Sequence, residues 1–228
     1  MRASTKALFG ISLAGGVLAL FSQQKSGRKG QIKVTFKQAR YYQKGRAMTP
    51  IWVVIHTAET AEGPHVAESL SNYAATMPDG RQVSWHYVVD NDSIVQNVLE
   101  QDTAWAAGPG NAPGIHIELA GRASQDAAGW ADQYSSALLE RAAELVALVC
   151  HKNKIPVVHP SNAEVLALTP GIVGHDQISW ASQKAKASNM RQMPWFRGGK
   201  FGTTNHTDPG PAFPWNKFLE LVKKYPQG

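Results

Sequence analysis

Three side chains in this 228-residue sequence have the types and settings that metal chemistry needs: His56, His175 and Asp208. His56 ends the apolar run Ile51 to Thr57, IWVVIHT, and the carboxyl edge of a buried strand is where α/β sheets place functional groups. His175 stands between Gly174 and Asp176 in GIVGHDQISW, a stretch that reads as an exposed loop. Asp208 lies in HTDPGPAFPW, residues 206 to 215. There Pro209, Pro211 and Pro214 lock φ, and Gly210 permits a turn that other residues resist. A stiff loop of this kind presents one carboxylate. Two imidazoles and a carboxylate form a ligand set suited to a catalytic zinc with its fourth position open to water. The spacing alone is a weak signal, because the three are far apart and no H-x-x-x-H pair occurs. Taken singly, a proline-rich stretch ahead of a terminal helix also reads as a connector, and a lone histidine is more often a bystander than a ligand. Among the eight histidines, His86 and His116 stay open as alternative ligands, while His65, His151 and His159 fall in helix or connector contexts.

The elements that must position these residues follow from hydrophobic periodicity. The run at 51–57 is β-branched and apolar enough for a buried central strand. Val66, Leu70, Tyr73 and Ala74 recur at helical spacing, so a helix is predicted from Pro64 to about Met77. Ser84 to Asp90 and Ser93 to Leu99 are β-rich runs separated by Asn91 and Asp92 and read as a hairpin. In Gly114 to Gly121, GIHIELAG, apolar residues alternate with His116 and Glu118, which puts those two polar side chains on one face of a strand. Ala131 to Lys152 is the clearest amphipathic helix, Ile155 to His159 is a short strand or extended segment, and Phe213 to Tyr225 is a closing amphipathic helix with Lys223 and Lys224 in its last turn. This order predicts an α/β domain, a central mixed β-sheet flanked by helices, over residues 51–228. Within it, 181–204 reads as a basic, glycine-containing surface excursion carrying Lys184, Lys186, Arg191, Arg197 and Lys200 with Trp195 and Phe196.

Composition sets the outer limits. With 43% hydrophobic and 18% charged residues the chain is globular rather than disordered or fibrous. One cysteine, Cys150, excludes a disulfide scaffold and falls on the apolar face of a predicted helix. A net charge of +6 favours polyanionic surroundings: nucleic acid, anionic lipid or an acidic wall polymer. Residues 1–21 contain an uncharged apolar run, 7–21, between Arg2 and Lys6 on one side and Lys25, Arg28 and Lys29 on the other. That is the pattern of an export signal or signal-arrest segment, short of the about 20 residues of a full span. It implies a protein exported or held at the membrane by transient association, and a buried helix is the competing reading. Residues 22–50 read as a basic linker leading into the domain near Gln31.

The local wording around the chemical residues resembles a known family. IHTAE at 55–59, GIHIELAG at 114–121, GHD at 174–176 and HTDPGPAFPW at 206–215 are similar to motifs of the zinc-dependent N-acetylmuramoyl-L-alanine amidases of type 2. That family includes phage endolysins, muropeptide amidases and peptidoglycan recognition proteins, and the resemblance runs in the family's order from about 50 to 220. It implies His56, His175 and Asp208 as Zn²⁺ ligands and peptidoglycan as the partner. It also implies Glu118 as the general base, a role physics allows because Zn²⁺ lowers the pKa of water toward ~7 and a neighbouring carboxylate can take the proton. His206 stands where many relatives carry a lysine that stabilises the oxyanion.

Two departures stand out. Trp85 precedes His86 where relatives often place a tyrosine, and Tyr87 points to the opposite strand face, so the acid–base work falls to Glu118. The excursion at 181–204 is the second; it reads as a rim for anionic wall polymer, a lid, or a solvated loop. Trp85, His116 and Trp195 are the expected substrate-contacting side chains of the groove. The setting favoured is a phage endolysin, followed by an exported host amidase. The rival class is a recognition module that binds muropeptide without cutting it, and the presence of all three ligands and Glu118 speaks against it. Nucleic-acid binding has charge in its favour but no module and is not expected.

Overall fold

The run Trp52–Thr57 forms a strand with every residue buried, and the rest of the sheet assembles around it. A computed structural model describes residues 32–225; the apolar segment expected at 1–21 lies outside the described residues. The strands are β1 (Thr35–Phe36), β2 (Trp52–Thr57), β3 (Tyr87–Val89), β4 (Ile94–Gln96), β5 (Gly114–Leu119) and β6 (Gly171–Gly174), in the order β1-β4-β3-β5-β2-β6. The predicted hairpin β3–β4 is antiparallel and the remaining pairs are parallel, so the sheet is mixed, as expected.

Alternation along β2 and β5 divides the core between the two faces of the sheet. Val53, Ile55, Ile115, Ile117 and Leu119 pack against α2 (Gln133–Asn153) and α5 (Trp215–Lys224) through Leu138, Leu139, Val146 and Phe218. Trp52, Val54 and Val173 on the other face meet Ile178, Ala181 and Ala185 of α4 (His175–Ala187). Further along the sheet α1 (Val66–Thr76) covers Val88 and Val95 through Ala67 and Ala74. Helix α2 starts where Asp132 accepts a hydrogen bond from the Ser135 N–H at 2.7 Å and stops where Lys154 turns left-handed, the usual capping chemistry. Among the described residues no helix is long and apolar enough to cross a membrane.

Two expectations are corrected. The segment 32–50 is built into the domain: β1 pairs with β4, Ala39 is buried, and the Arg46 guanidinium donates to the carbonyls of Glu100, Ala112 and Gly114. Residues 32–50 are therefore part of the packed domain rather than a linker ahead of it. The segment 181–204 is also less of an excursion than its charge suggested. Its first seven residues complete α4. Trp195 is 0% exposed, packs against Trp52 at a ring separation of 5.8 Å and donates its indole N–H to the Leu166 carbonyl in α3 (Asn162–Leu166). A groove wall would need that ring in solvent, so Trp195 is a core residue. What projects is the small hairpin of β7 (Phe196–Arg197) and β8 (Lys200–Phe201), turned at Gly198 and Gly199 with φ of 60° and 79°.

Candidate metal centre

Parallel register gathers the chemical residues at one edge of the sheet. In β2 and β5 His56 lies opposite Glu118, and in β2 and β6 Ile55 lies opposite Gly174. The next residue after Gly174, His175, therefore arrives beside His56. The expected loop around His175 is instead strand β6 followed directly by α4, of which His175 is the first residue. The correction has a local cause: GIVG is too short and glycine-rich to announce a strand, yet it fills the sheet edge with buried residues. Gly174 then opens the helix, its N–H donating to the Gln177 side chain at 3.0 Å.

Asp208 reaches the same point from the C-terminal loop, which is anchored on both sides. The His206 N–H donates to Ser179 Oγ at 2.8 Å and the Asp208 carbonyl accepts from the Asp176 N–H at 2.9 Å, both on α4. Beyond the turn, Phe213 is buried edge-on against Trp130 and Phe218. Gly210 holds φ at 94°, and a Cβ there would fall 1.9 Å from the Ala123 carbonyl oxygen, so both the turn and the close approach require glycine.

These anchors set Asp208 Oδ2 3.0 Å from His56 Nδ1 and Asp208 Oδ1 3.4 Å from His175 Nδ1. One donor atom from each residue lies within 4.8 Å of the others, and all three residues are buried. Burial alone would raise the Asp208 carboxyl, but hydrogen bonds from His175 and His56 outweigh it and hold the group well below the carboxylate range. His175 is lowered by burial against the pull of Asp208. Two imidazole nitrogens converging on an ionised carboxylate within this span suit a tetrahedral dication such as Zn²⁺. His175 Nε2 faces Thr204 Oγ1 at 3.0 Å, a contact that nothing in the sequence signalled.

Glu118 stands beside this cluster with Oε2 buried and without a hydrogen-bond partner. Burial first, then the charges of Asp208 and Glu59, push its carboxyl up to about 8. In the metal-free protein the folded state therefore keeps a proton that the unfolded chain has already lost. The contribution of Glu118 to stability falls as pH rises toward about 8. The histidines lowered in the folded state work in the opposite sense, because unfolded imidazoles still hold protons at pH 6.5, so the Glu118 share is read as the difference between wild type and Glu118→Gln. We expect the stability of the metal-free wild type relative to metal-free Glu118→Gln to fall by on the order of 2 kcal/mol between pH 6.5 and 8, measured by urea unfolding of both proteins. Equal slopes in the two proteins would contradict it.

The remaining predicted site residues separate. His206 lies at the mouth, its side chain 60% exposed, stacked on His175 at 4.1 Å with Nδ1 3.5 Å from Asp208. Burial and the neighbouring His175 lower it, favouring the neutral ring. Trp85 is buried against Val88 and Val95 and donates to Asn97 Oδ1 at 2.8 Å; it is a packing residue, not a groove wall. His116 is also corrected. It is 0% exposed, beneath the cluster, with Nδ1 3.0 Å from His56 Nε2. His86 lies one layer further back, against the His116 backbone.

With this geometry in view, similarity to known proteins is informative. The sequence pattern of the family Amidase_2, N-acetylmuramoyl-L-alanine amidase, matches residues 46–211. N-acetylmuramoyl-L-alanine amidase XlyA of Bacillus subtilis is 38% identical over 87 residues, which is 36% of this chain and 28% of that protein, so the match spans under a third of its length. N-acetylmuramoyl-L-alanine amidase A of Achromobacter lyticus is 28% identical over 172 residues, 75% of this chain and 81% of that one. A mutant endolysin from Bacillus subtilis shares the fold with a TM-score of 0.53 at 19% identity, over 84% of this chain and 99% of its own. The family match takes in most of the chain, including His56, Glu118, His175 and Asp208, and the chain belongs to the type 2 N-acetylmuramoyl-L-alanine amidases, hydrolases that act on peptidoglycan.

Proposed function

We propose that this amidase works with Zn²⁺ held by His56, His175 and Asp208, and cuts the amide between the lactyl group of N-acetylmuramic acid and L-alanine of the stem peptide. The observation that carries the reading is the set of three buried donors within 4.8 Å of one another, with the unpartnered Glu118 carboxyl beside them. Bound there, the ion supplies Lewis acidity, which makes water nucleophilic near neutral pH. Glu118 takes a proton from the attacking water and passes it to the leaving nitrogen as the C–N bond breaks. His206, exposed at the mouth, donates a hydrogen bond to the oxygen on which negative charge develops, a contribution worth ~3 kcal/mol in such sites. Asp208 keeps its charge throughout, because the two imidazoles stabilise the ionised form.

The finer parts of the reading rest on charge and sequence. Residues 181–204 contain five cations and no acid. A recess of about 690 Å³ lined by Lys186, Gln183, Thr203, Thr204 and Asn205 opens beside the Thr204 that touches His175. This basic surface suits anionic wall polymer running past the cleavage point. The apolar run at 7–21 carries the enzyme to or across the membrane, and a phage endolysin is the favoured setting. The test is zinc content by elemental analysis together with release of peptide from purified sacculi. We expect one equivalent of zinc and peptides freed from muramic acid. Metal uptake and sacculus binding with no release would replace the enzyme by a recognition module.

A further inference from the structure

The geometry points to His116 as a positioning residue for the metal centre, holding the imidazole of His56 from the buried side through a ring-to-ring hydrogen bond. This inference rests on the metal reading above. Nδ1 of His56 faces Asp208 at 3.0 Å, and its other nitrogen, Nε2, faces Nδ1 of His116 at 3.0 Å. A histidine whose Nδ1 coordinates a metal carries its proton on Nε2, and that proton needs an acceptor that fixes both tautomer and ring orientation. Among the described residues, His116 is the group placed to accept it.

The surroundings of His116 are arranged to present that one atom. Its ring is wholly buried and stacks on His86 with centroids 5.6 Å apart and planes at 17°. Its backbone N–H donates to His86 Nδ1 at 2.9 Å, and its carbonyl accepts from the His86 N–H at 3.0 Å. His86 Nδ1 is thereby an acceptor, and its Nε2 lies 2.7 Å from the Arg46 guanidinium and 3.2 Å from the Asp102 carbonyl, which fixes the His86 ring behind His116. The absence of a Cβ at Gly114 makes room for the ring, since one would stand 2.8 Å from His116 Nε2 and Cε1.

The opposite nitrogen is the telling one. His116 Nε2 is buried without any partner, an arrangement that costs stability and that an apolar side chain of the same size would avoid. A residue chosen only to fill space would not be histidine. The bond to His56 offsets that cost only if the orientation of His56 matters.

The test compares the full chain with His116→Phe, which keeps ring volume without nitrogen, and His116→Asn, whose amide can occupy the place of Nδ1. Zinc affinity is measured by competition with a chromogenic chelator, and thermal unfolding is followed on the metal-free proteins. His116→Phe is expected to weaken zinc binding about ten- to a hundredfold with no fall in the Tm of the metal-free protein. His116→Asn is expected to recover most of the affinity. Wild-type affinity in His116→Phe, or equal losses in both variants, overturns the positioning role. If His116→Phe does not fold, His116→Asn against His116→Leu decides by the same criterion. A folded wild-type protein that takes up no zinc would instead sink the metal reading itself, which separates the two failures.

Discussion

Glu118→Gln is expected to leave zinc content at one equivalent and to lower kcat on purified sacculi by roughly 10²–10⁴-fold. The amide has nearly the shape of the acid, so packing beneath β5 is preserved, while the proton acceptor is removed. Glu118 is suited to its task because Oε2 has no hydrogen-bond partner to satisfy it and because burial lifts the carboxyl to about 8. A base poised near the working pH transfers protons in both directions. A carboxylate already neutralised by an arginine or by several N–H donors would hold its charge too firmly. The Gln variant should also be no less stable than wild type at pH 8, since it removes a group that is expensive to ionise in place. Normal turnover in this variant would end the base assignment. Loss of zinc along with turnover would instead move Glu118 among the ligands.

Asp208→Ala is expected to have the other large effect: zinc falls below one equivalent even at micromolar free metal, and amidase activity drops to background. The carboxylate is the meeting point of the centre, within 3.0 to 3.5 Å of nitrogens from His56, His175 and His206. Without it three imidazoles face one another with no anion between them. Asp208→Asn sharpens the result, because it keeps size and most hydrogen bonding but removes the charge that the imidazoles stabilise. It should behave like the alanine variant for zinc and closer to wild type for folding. Stripping wild type with chelator should give the same inactive state, restored by added zinc. Activity that survives both chelation and Asp208→Ala would remove metal from the mechanism.

Much of the fold and part of the site were legible because they depend on patterns local to the chain. The apolar run at 51–57, the alternation at 114–121 and the helical periodicity at 131–152 each became the expected element. Alternation alone placed His116 and Glu118 on one face. The stiffness of the loop around Asp208 followed from its prolines and from a glycine that the close approach of Ala123 makes obligatory. The helical setting of His175 was missed because the four-residue strand before it contains two glycines and draws its stability from pairing with β2, a partner more than a hundred residues away.

The same reason explains the three aromatic and imidazole side chains expected in the groove. Type and local spacing give Trp85, His116 and Trp195 the character of contact residues, and strand position even places His116 next to Glu118. Whether such a side chain meets solvent or core is decided by what packs over it. Trp52 and α3 enclose Trp195, β4 and the Asn97 amide enclose Trp85, and His56 and His86 enclose His116. The sequence by itself determined the identity of the reacting groups and the elements that carry them, because those follow from residue chemistry and from periods of two and 3.6 along the chain. Only the tertiary structure decided which of those groups converge, since convergence depends on the parallel register that sets His56 opposite Glu118 and on long-range packing that no local pattern encodes.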